Sequence, residues 1–177
     1  GLSAKNGILI KGGNYIEMLE EADTIILDKT GTLTEGTAKI SSVVTIDKEI
    51  NDRGLIELAA AAEQTSNHPM ALAVLDHIKK KGWKIPKHTG SKVHLGRGIE
   101  TRVNSSLIRV GNRRYLEESG IDVSAQQERL MRMVRRGENV IYVAKDKNLI
   151  GMLGVQDILR ENMKKALNRL RLSGMDD

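Results

Sequence analysis

The sequence predicts a two-part fold, in which an α/β half-unit at each end of the chain encloses an inserted α+β module with an antiparallel sheet flanked by helices. An apolar run over residues 24–27 ends in Asp28, as a buried parallel strand does where it meets a ligand site. Two helical patterns occupy residues 52–81, and short strands separated by glycines occupy residues 84–110. A final helical pattern begins at Leu159. This order predicts that the two ends of the chain pack together around an insertion.

The predicted domain boundaries follow these changes of pattern. Residues 1–37 form the N-terminal part of the first domain, residues 38–155 form the inserted domain, and residues 156–177 return to the first domain. No internal repeat or low-complexity linker separates these segments, so the boundaries rest on periodicity alone.

Periodicity also predicts the individual elements. Apolar residues at helical spacing predict helices over residues 15–22, 52–64, 69–81, 113–118, 124–136 and 159–170. Apolar runs predict strands over residues 24–27, 38–46, 140–144 and 149–155, besides the short strands of the central region. Ser173 and Gly174 provide a stop signal for the last helix.

The composition excludes several classes of protein. The chain is 40% hydrophobic but has no Phe, one Trp and three Tyr, so its cores must be aliphatic and base stacking on a nucleic acid is disfavoured. The formal net charge of +5 is spread along the chain, which is typical of a solvated surface, and we expect no nucleic-acid partner. The absence of Cys excludes disulfides, zinc ribbons and thiol catalysis. No apolar stretch approaches the roughly 20 residues that span a bilayer, and no signal peptide opens the chain, so we expect a soluble polypeptide.

The residues after the first apolar run have the chemistry of a phosphate site. A carboxylate such as Asp28 can attack phosphorus and form an acyl phosphate, provided that cations such as Mg²⁺ and a lysine offset the repulsion. Lys29 is adjacent, Gly31 permits close approach of the backbone, and the hydroxyls of Thr30 and Thr32 can donate to phosphate oxygens. The alternative is that Asp28 only caps a turn.

Two motifs carry a resemblance to a known family. The string Asp28-Lys29-Thr30-Gly31-Thr32-Leu33-Thr34 resembles, letter for letter, the phosphorylation signature of the P-type ATPases. Ser66-Asn67-His68-Pro69 resembles the Ser-Glu-His-Pro motif of the heavy-metal-transporting members, with Asn67 where Glu is usual. Residues 7–13 with Glu17 are similar to the passage from the membrane into the phosphorylation domain of these pumps.

The resemblance implies a partial haloacid-dehalogenase-like, Rossmann-like phosphorylation domain interrupted by a nucleotide-binding domain. It implies that Asp28 accepts the γ-phosphate of ATP within the loop formed by Lys29, Thr30, Gly31 and Thr32. Mg²⁺ would be held by the Asp28 carboxylate and the Thr30 carbonyl, in a site that lacks its third protein ligand. The family's later Thr-Gly-Asp and Gly-Asp-Gly-x-Asn-Asp motifs do not occur in this sequence.

The resemblance also implies a nucleotide site in the inserted domain. His68 would orient the adenine end of ATP, with Glu63 as a second contact one helical turn earlier. Gly96 and Gly98 match the family's Gly-x-Gly turn, and Asn112 matches an asparagine of the same pocket. Each has a structural alternative: His68 or Asn112 can cap the helix that follows it, and most Gly-x-Gly pairs are only turns.

The expected function is that of the ATP-binding and phosphorylation region of a membrane pump for a heavy-metal cation, with ATP and Mg²⁺ as cofactors. Its partners would be ATP or ADP, a transmembrane domain and the rest of the phosphorylation domain, with the transported cation bound elsewhere. Asp157-Ile158-Leu159-Arg160 resembles the family's hinge, although Asp157 could equally be an ordinary charge at a helix N-terminus. Two alternatives stay open: a soluble haloacid-dehalogenase-like phosphatase, and a nucleotide-binding module without turnover.

Overall fold

The computed structural model describes residues 2–172 of the chain, with the side chain of Thr30 left out. It divides into two units. One unit contains the residues up to Glu35 together with those from Leu159 onward, and the other contains Gly36–Ile158. These bounds lie within three residues of the boundaries at 37/38 and 155/156 drawn from the sequence pattern.

A six-stranded sheet forms the centre of the Gly36–Ile158 unit. Its strands are β1 (Thr34–Thr45), β2 (His88–His94), β3 (Gly98–Val103), β4 (Ser106–Gly111), β5 (Asn139–Lys145) and β6 (Asn148–Leu159). They lie in the order β1-β6-β5-β4-β3-β2, and the four neighbouring pairs from β2 through β6 are antiparallel. The predicted antiparallel sheet is therefore confirmed. Strand β1 begins four residues earlier than the predicted start at residue 38.

Helices cover both faces of this sheet. They are α3 (Asp52–Glu63), α4 (Pro69–Lys81), α5 (Arg113–Glu118) and α6 (Gln127–Arg135), with a single 3₁₀ turn at Ser124–Gln126 before α6. The alternation of strand side chains divides the core: Ile141 and Val143 of β5 belong to the cluster under α3 and α4, whereas Tyr142 and Ala144 belong to the cluster under α5. The four alanines at positions 59–62 are fully buried, so α3 packs closely on more than one side.

The other unit has less regular structure among its described residues. It contains α1 (Leu2–Lys5), α2 (Asn14–Glu20), a π-helical turn at Lys29–Leu33 and α7 (Met163–Leu172). The strand predicted over residues 24–27 is wrong: only Thr24 forms a bridge, and Ile26 is 94% exposed. A central parallel strand needs hydrogen-bonding neighbours on both sides, and the described part of this unit supplies none for residues 25–27. The predicted helix stop at Ser173 and Gly174 lies outside the described residues.

Within residues 2–172, no helix is both long and apolar enough to cross a bilayer.

Candidate functional site

A cavity of about 390 Å³ opens at one end of the sheet in the Gly36–Ile158 unit. All five residues predicted to contact a nucleotide line it, namely Glu63, His68, Gly96, Gly98 and Asn112. They come from three segments of the chain: the connection between α3 and α4, the turn between β2 and β3, and the start of α5. The fold therefore brings together residues that are far apart in the sequence, and apolar groups including Met70, Ile99 and Ile141 complete the wall.

Glu63 is a buried carboxyl group at the edge of the cavity. It is the last residue of α3 and is only 9% exposed. Burial raises its pKa to about 7, and a hydrogen bond from the Ser66 side chain opposes part of that increase. Near neutral pH this group therefore exchanges between an acceptor-only carboxylate and a carboxylic acid that can also donate.

His68 is the N-cap of α4, so one of its structural alternatives is confirmed. Its Nδ1 accepts a hydrogen bond of 3.3 Å from the backbone N–H of Met70, and Pro69 occupies the first helical position. Because a backbone N–H can only donate, Nδ1 is the unprotonated nitrogen and Nε2 carries the proton of the neutral imidazole. The cap thereby leaves a hydrogen-bond donor at Nε2 of His68, a residue that lines the cavity.

Gly96 and Gly98, the two glycines of the β2–β3 turn, are required for different structural reasons. Gly96 has a φ of +68° with open space around it, so its role is to permit the left-handed turn. Gly98 lies opposite Gly111 across the β3–β4 pair. A Cβ on Gly98 would overlap the carbonyl oxygen of Val110 and the ring of Tyr115, so no larger residue fits without a shift of the strands.

Asn112 ties the start of α5 to this turn. Its Oδ1 caps α5 by accepting from the backbone N–H of Tyr115 at 2.9 Å, and its Nδ2 donates to the Gly96 carbonyl at 3.1 Å. Its own N–H donates to the Arg97 carbonyl at 2.8 Å. The capping alternative is therefore confirmed, and the side chain holds the Gly-x-Gly turn in place. Direct contact of Asn112 with a nucleotide stays a prediction.

A polar cluster that reaches the cavity lining through His94 was not predicted from the sequence. The Glu100 carboxylate accepts hydrogen bonds from Arg109 Nε at 3.2 Å and from the Tyr115 hydroxyl at 3.3 Å. Its other oxygen lies 3.6 Å from Nε2 of His94, whose ring contacts that of Tyr115. Burial, followed by the charge of Glu100, raises the pKa of Tyr115 to about 12, so it stays a donor. The available signal was the alternation of β3 and β4, which sets Glu100 opposite Arg109.

The Asp28 segment belongs to the other unit. Asp28 is exposed, has extended backbone angles and precedes the π-helical turn without making a side-chain capping hydrogen bond to it. The alternative in which its carboxylate caps the turn is therefore wrong. We call residues 28–34 the phosphorylation loop, after the family signature that they resemble.

Two side chains close the phosphorylation loop. The fully buried hydroxyl of Thr34 accepts from the N–H of Gly31 at 3.2 Å and donates to the carbonyl of Lys29 at 3.3 Å. Arg160 donates from its guanidinium to the carbonyls of Gly31 at 2.9 Å and Thr32 at 3.0 Å. Arg160 thus fixes the loop's carbonyls, while Asp28 has no such partner holding it to the turn.

The phosphorylation loop contains the two residues predicted to bind Mg²⁺, Asp28 and Thr30. Mg²⁺ takes six oxygen ligands and in nucleotide enzymes is commonly held by one or two carboxylates together with substrate phosphates and water. Among the described residues, no three His, Asp or Glu side chains group as they would around a metal ion. Binding of Mg²⁺ by the Asp28 carboxylate and the Thr30 carbonyl therefore stays a prediction, in which substrate phosphates and water would supply further ligands.

A comparison with models of known protein families identifies the family to which the chain belongs. A model for haloacid dehalogenase-like hydrolases matches residues 22–176. The chain belongs to that family. The match begins six residues before Asp28 and continues past the inserted unit, so it includes both predicted parts of the phosphorylation domain.

Among these hydrolases, the chain is similar to metal-transporting P-type ATPases over almost its whole length. It is 34% identical over 176 residues to a copper-exporting P-type ATPase of Bacillus subtilis (strain 168), a match that covers 99% of this chain and 22% of that relative. The chain thus spans about a fifth of the length of the pump it matches.

Solved structures give the same result. A zinc-transporting PIB-type ATPase in its E2.Pi state superposes with a TM-score of 0.85 at 28% identity, covering 98% of this chain and 28% of that one. The catalytic domain of a CPx-ATPase, described for its conformational changes upon nucleotide binding, superposes with a TM-score of 0.67 at 27% identity, covering 95% of this chain and 57% of that one. The predicted combination of a haloacid-dehalogenase-like domain with an inserted nucleotide-binding domain fold is confirmed by these matches.

Proposed function

We propose that this chain is the ATP-binding and phosphorylation region of a membrane P-type ATPase that moves a heavy-metal cation. The observation that carries the proposal is that the five residues for which the family resemblance implies a nucleotide contact all line one cavity. Its volume of about 390 Å³ is within the range of small-molecule sites. The similarity to a copper pump and to a zinc pump supports the transport function. Because those two proteins transport different metals, the proposal does not specify the cation.

In this proposal the cavity binds the adenine end of ATP. The apolar side chains of Met70, Ile99 and Ile141 match the faces of a purine ring, and the polar groups at its edge match the ring's donors and acceptors. The Nε2–H of His68 donates to an acceptor nitrogen. The Glu63 carboxylate accepts from the exocyclic amino group of adenine, which stands where guanine has a carbonyl oxygen.

Asp28 is the proposed nucleophile. One of its carboxylate oxygens forms a bond to the γ-phosphorus while the bond from that phosphorus to the bridging oxygen breaks, and ADP leaves with the electron pair. The product is an aspartyl phosphate, which water later hydrolyses. Lys29, Gly31 and the hydroxyls of Thr30 and Thr32 would neutralise and bind the transferred phosphoryl group. Mg²⁺, when bound, supplies further charge neutralisation at the phosphate oxygens.

Thr30 favours the function of a P-type ATPase over that of a soluble phosphatase. Hydrolases of the haloacid-dehalogenase type generally carry a second acid two residues after the nucleophile, which protonates the leaving group and activates water. The hydroxyl of Thr30 cannot serve as that acid and base, so the phosphoenzyme would persist. A persistent phosphoenzyme suits a pump, in which its formation and breakdown drive exposure of an ion site on alternate sides of the membrane.

The domain roles follow from this function. Residues 1–37 and 156–177 would belong to the phosphorylation domain, and residues 38–155 would be the nucleotide-binding domain. This region would be the cytoplasmic portion of an integral membrane protein, covalently continuous with a transmembrane domain and the rest of the phosphorylation domain. With the Mg²⁺ site incomplete, the chain by itself would bind ATP or ADP without sustained turnover.

Calorimetric titration with ADP and ATP tests the nucleotide assignment. His68→Asn is the informative variant, because asparagine preserves the helix cap but removes Nε2–H. We expect the variant to keep its thermal stability and to bind ADP about tenfold more weakly. Asn67→Ala is the matched control, since Asn67 is exposed and does not line the cavity. Equal ADP affinity in wild type and His68→Asn would refute the assignment.

A further inference from the structure

Arg97 is the only lysine or arginine among the described residues that line the cavity. It stands between the two glycines of the β2–β3 turn, and its backbone is held on both sides. Its N–H donates to the His94 carbonyl at 3.0 Å, and its own carbonyl accepts from the N–H of Asn112 at 2.8 Å. A long cationic side chain thus extends from a backbone position that is fixed in the cavity lining.

The guanidinium of Arg97 binds Glu118, which also binds Arg114. Its Nη1 donates to Oε2 of Glu118 on α5 at 2.5 Å, and the other oxygen of Glu118 accepts from Arg114 Nε at 2.7 Å. The pKa of Glu118 lies below its usual value, first because of the hydrogen bond from Arg114 and then because of the charge of Arg97. Glu118 therefore has a guanidinium partner even when Arg97 is elsewhere.

This arrangement makes the Arg97–Glu118 pair easy to exchange. The two side chains are 47% and 41% exposed, and ion pairs with that much solvent contact contribute little to stability. If Arg97 moves to another anion, Arg114 still neutralises Glu118 and no unpaired charge is buried. The cost of the movement is limited to the rearrangement of one flexible side chain.

Apart from Arg97, the cavity lining has no lysine or arginine among its described residues to offset the charge of nucleotide phosphates. Among the described residues of the lining, Glu63 is the only other one with a formal charge at high pH, and its charge is negative. A nucleoside diphosphate or triphosphate carries several negative charges, so the lining without Arg97 would repel its phosphates. The planar guanidinium of arginine is suited to binding phosphate oxygens through two N–H groups at once.

We propose that Arg97 is a specificity-determining residue that recognises the phosphate chain of the bound nucleotide, exchanging Glu118 for a phosphate oxygen. The proposal rests on the cavity's being a nucleotide site, and it adds that the site selects nucleoside diphosphates and triphosphates over nucleosides. The competing account is that the phosphates extend away from the cavity and that Arg97 only ties the turn to α5.

Titration of adenosine, ADP and ATP into wild type and Arg97→Gln distinguishes the two accounts. We expect ADP and ATP to bind roughly three- to tenfold more weakly to the variant, with adenosine affinity unchanged. Added salt is expected to weaken ADP binding more steeply in wild type than in the variant. Arg113→Gln is the matched control, because Arg113 carries the same charge on α5, pairs with Glu117 and does not line the cavity.

A second variant tests the exchange itself. Glu118→Gln removes the competing carboxylate, so we expect ADP to bind about twofold more tightly than in wild type. Equal ADP affinity in wild type and Arg97→Gln, or an equal loss for adenosine and ADP, would overturn the role of Arg97 while leaving the nucleotide site intact. Failure of wild type to bind any of the three ligands would overturn both.

Discussion

The cavity and the phosphorylation loop differ in how firmly the fold holds their functional groups. Glu63 is buried at the end of a helix whose alanines are packed against the core, and the Gly-x-Gly turn is fastened by three hydrogen bonds that involve Asn112 and Arg97. In the loop, the backbone is held by Thr34 and Arg160, whereas the proposed nucleophile Asp28 is exposed.

This difference shows how the proposed activity is divided within the chain. Nucleotide recognition needs groups in fixed positions, and the Gly36–Ile158 unit provides them from its own core. Phosphoryl transfer needs a nucleophile together with cations placed around the phosphate, and in the proposed function the loop would provide the nucleophile and part of the Mg²⁺ site. Substitutions in the two regions should therefore have separable effects on chemistry and on binding.

The largest effect is expected from Asp28→Asn. An amide oxygen is a poor nucleophile, so the intact pump should lose transfer of labelled γ-phosphate to protein by at least about a thousandfold. ADP affinity of the present chain should be unchanged, because Asp28 does not line the cavity. Asp23→Asn is the control for the loss of one exposed carboxylate in the same unit. Labelling retained in Asp28→Asn would contradict the assigned nucleophile.

A comparison of the two glycines tests the packing of the cavity. Gly98→Ala should lower the free energy of unfolding by about 2–4 kcal/mol, because its Cβ would meet backbone and ring atoms that cannot easily move. Gly96→Ala should cost only about 1 kcal/mol, since the added Cβ has open space and the penalty is the positive φ alone. Chemical denaturation measures both values. Equal losses would mean that the close approach of β3 and β4 is not what requires Gly98.

The pH dependence of stability tests the burial of Glu63. Its folded pKa of about 7 lies above the ordinary value of 4.5, so its stabilising effect is fully present below pH 4.5 and is lost as pH rises through 7. Relative to Glu63→Gln, wild type should lose up to about 3 kcal/mol of unfolding free energy between pH 5 and pH 8. Glu128→Gln, at an exposed glutamate, should follow wild type. Parallel curves for wild type and Glu63→Gln would show that the carboxyl is not desolvated.

The smallest effect is expected from Arg160→Lys in the phosphorylation loop. Lysine keeps the charge but cannot donate to the Gly31 and Thr32 carbonyls with a planar fork, so the loop should be less well ordered. Phosphorylation of the intact pump should slow by roughly three- to tenfold while ADP binding stays unchanged. Restoration of the wild-type rate at saturating ATP would indicate a binding defect instead and would contradict the positioning role.

Local signals predicted the helices of the inserted unit well. The helix predicted over residues 69–81 has those bounds in the structure, because Pro69 starts it and Gly82, with a φ of +65°, ends it. The helix over residues 113–118 likewise follows its cap, Asn112. Residues 124–136 were less accurately predicted, since the first turn is a 3₁₀ turn and the α-helix begins at Gln127.

Features that depend on distant partners could not be predicted from local patterns. The prediction of a strand over residues 24–27 was wrong because a strand requires hydrogen-bonded neighbouring strands, and the apolar pattern specifies none. Arg160 and the phosphorylation loop are nearly 130 positions apart, and no periodicity connects them. The prediction that Glu63, Gly96 and Asn112 share one site came from the family resemblance, since their spacing alone does not indicate a common pocket.

The most direct test of the account is to add ADP to the isotope-labelled chain and record its amide resonances by NMR. The account predicts saturable shifts concentrated at the residues that line the cavity, including Glu63, His68 and Gly98, with the amides of residues 28–34 little affected. Absence of saturable shifts, or shifts concentrated outside the cavity, would contradict the claim that the cavity is an ATP site. That site is formed in the account by Glu63, His68, Gly96, Gly98 and Asn112.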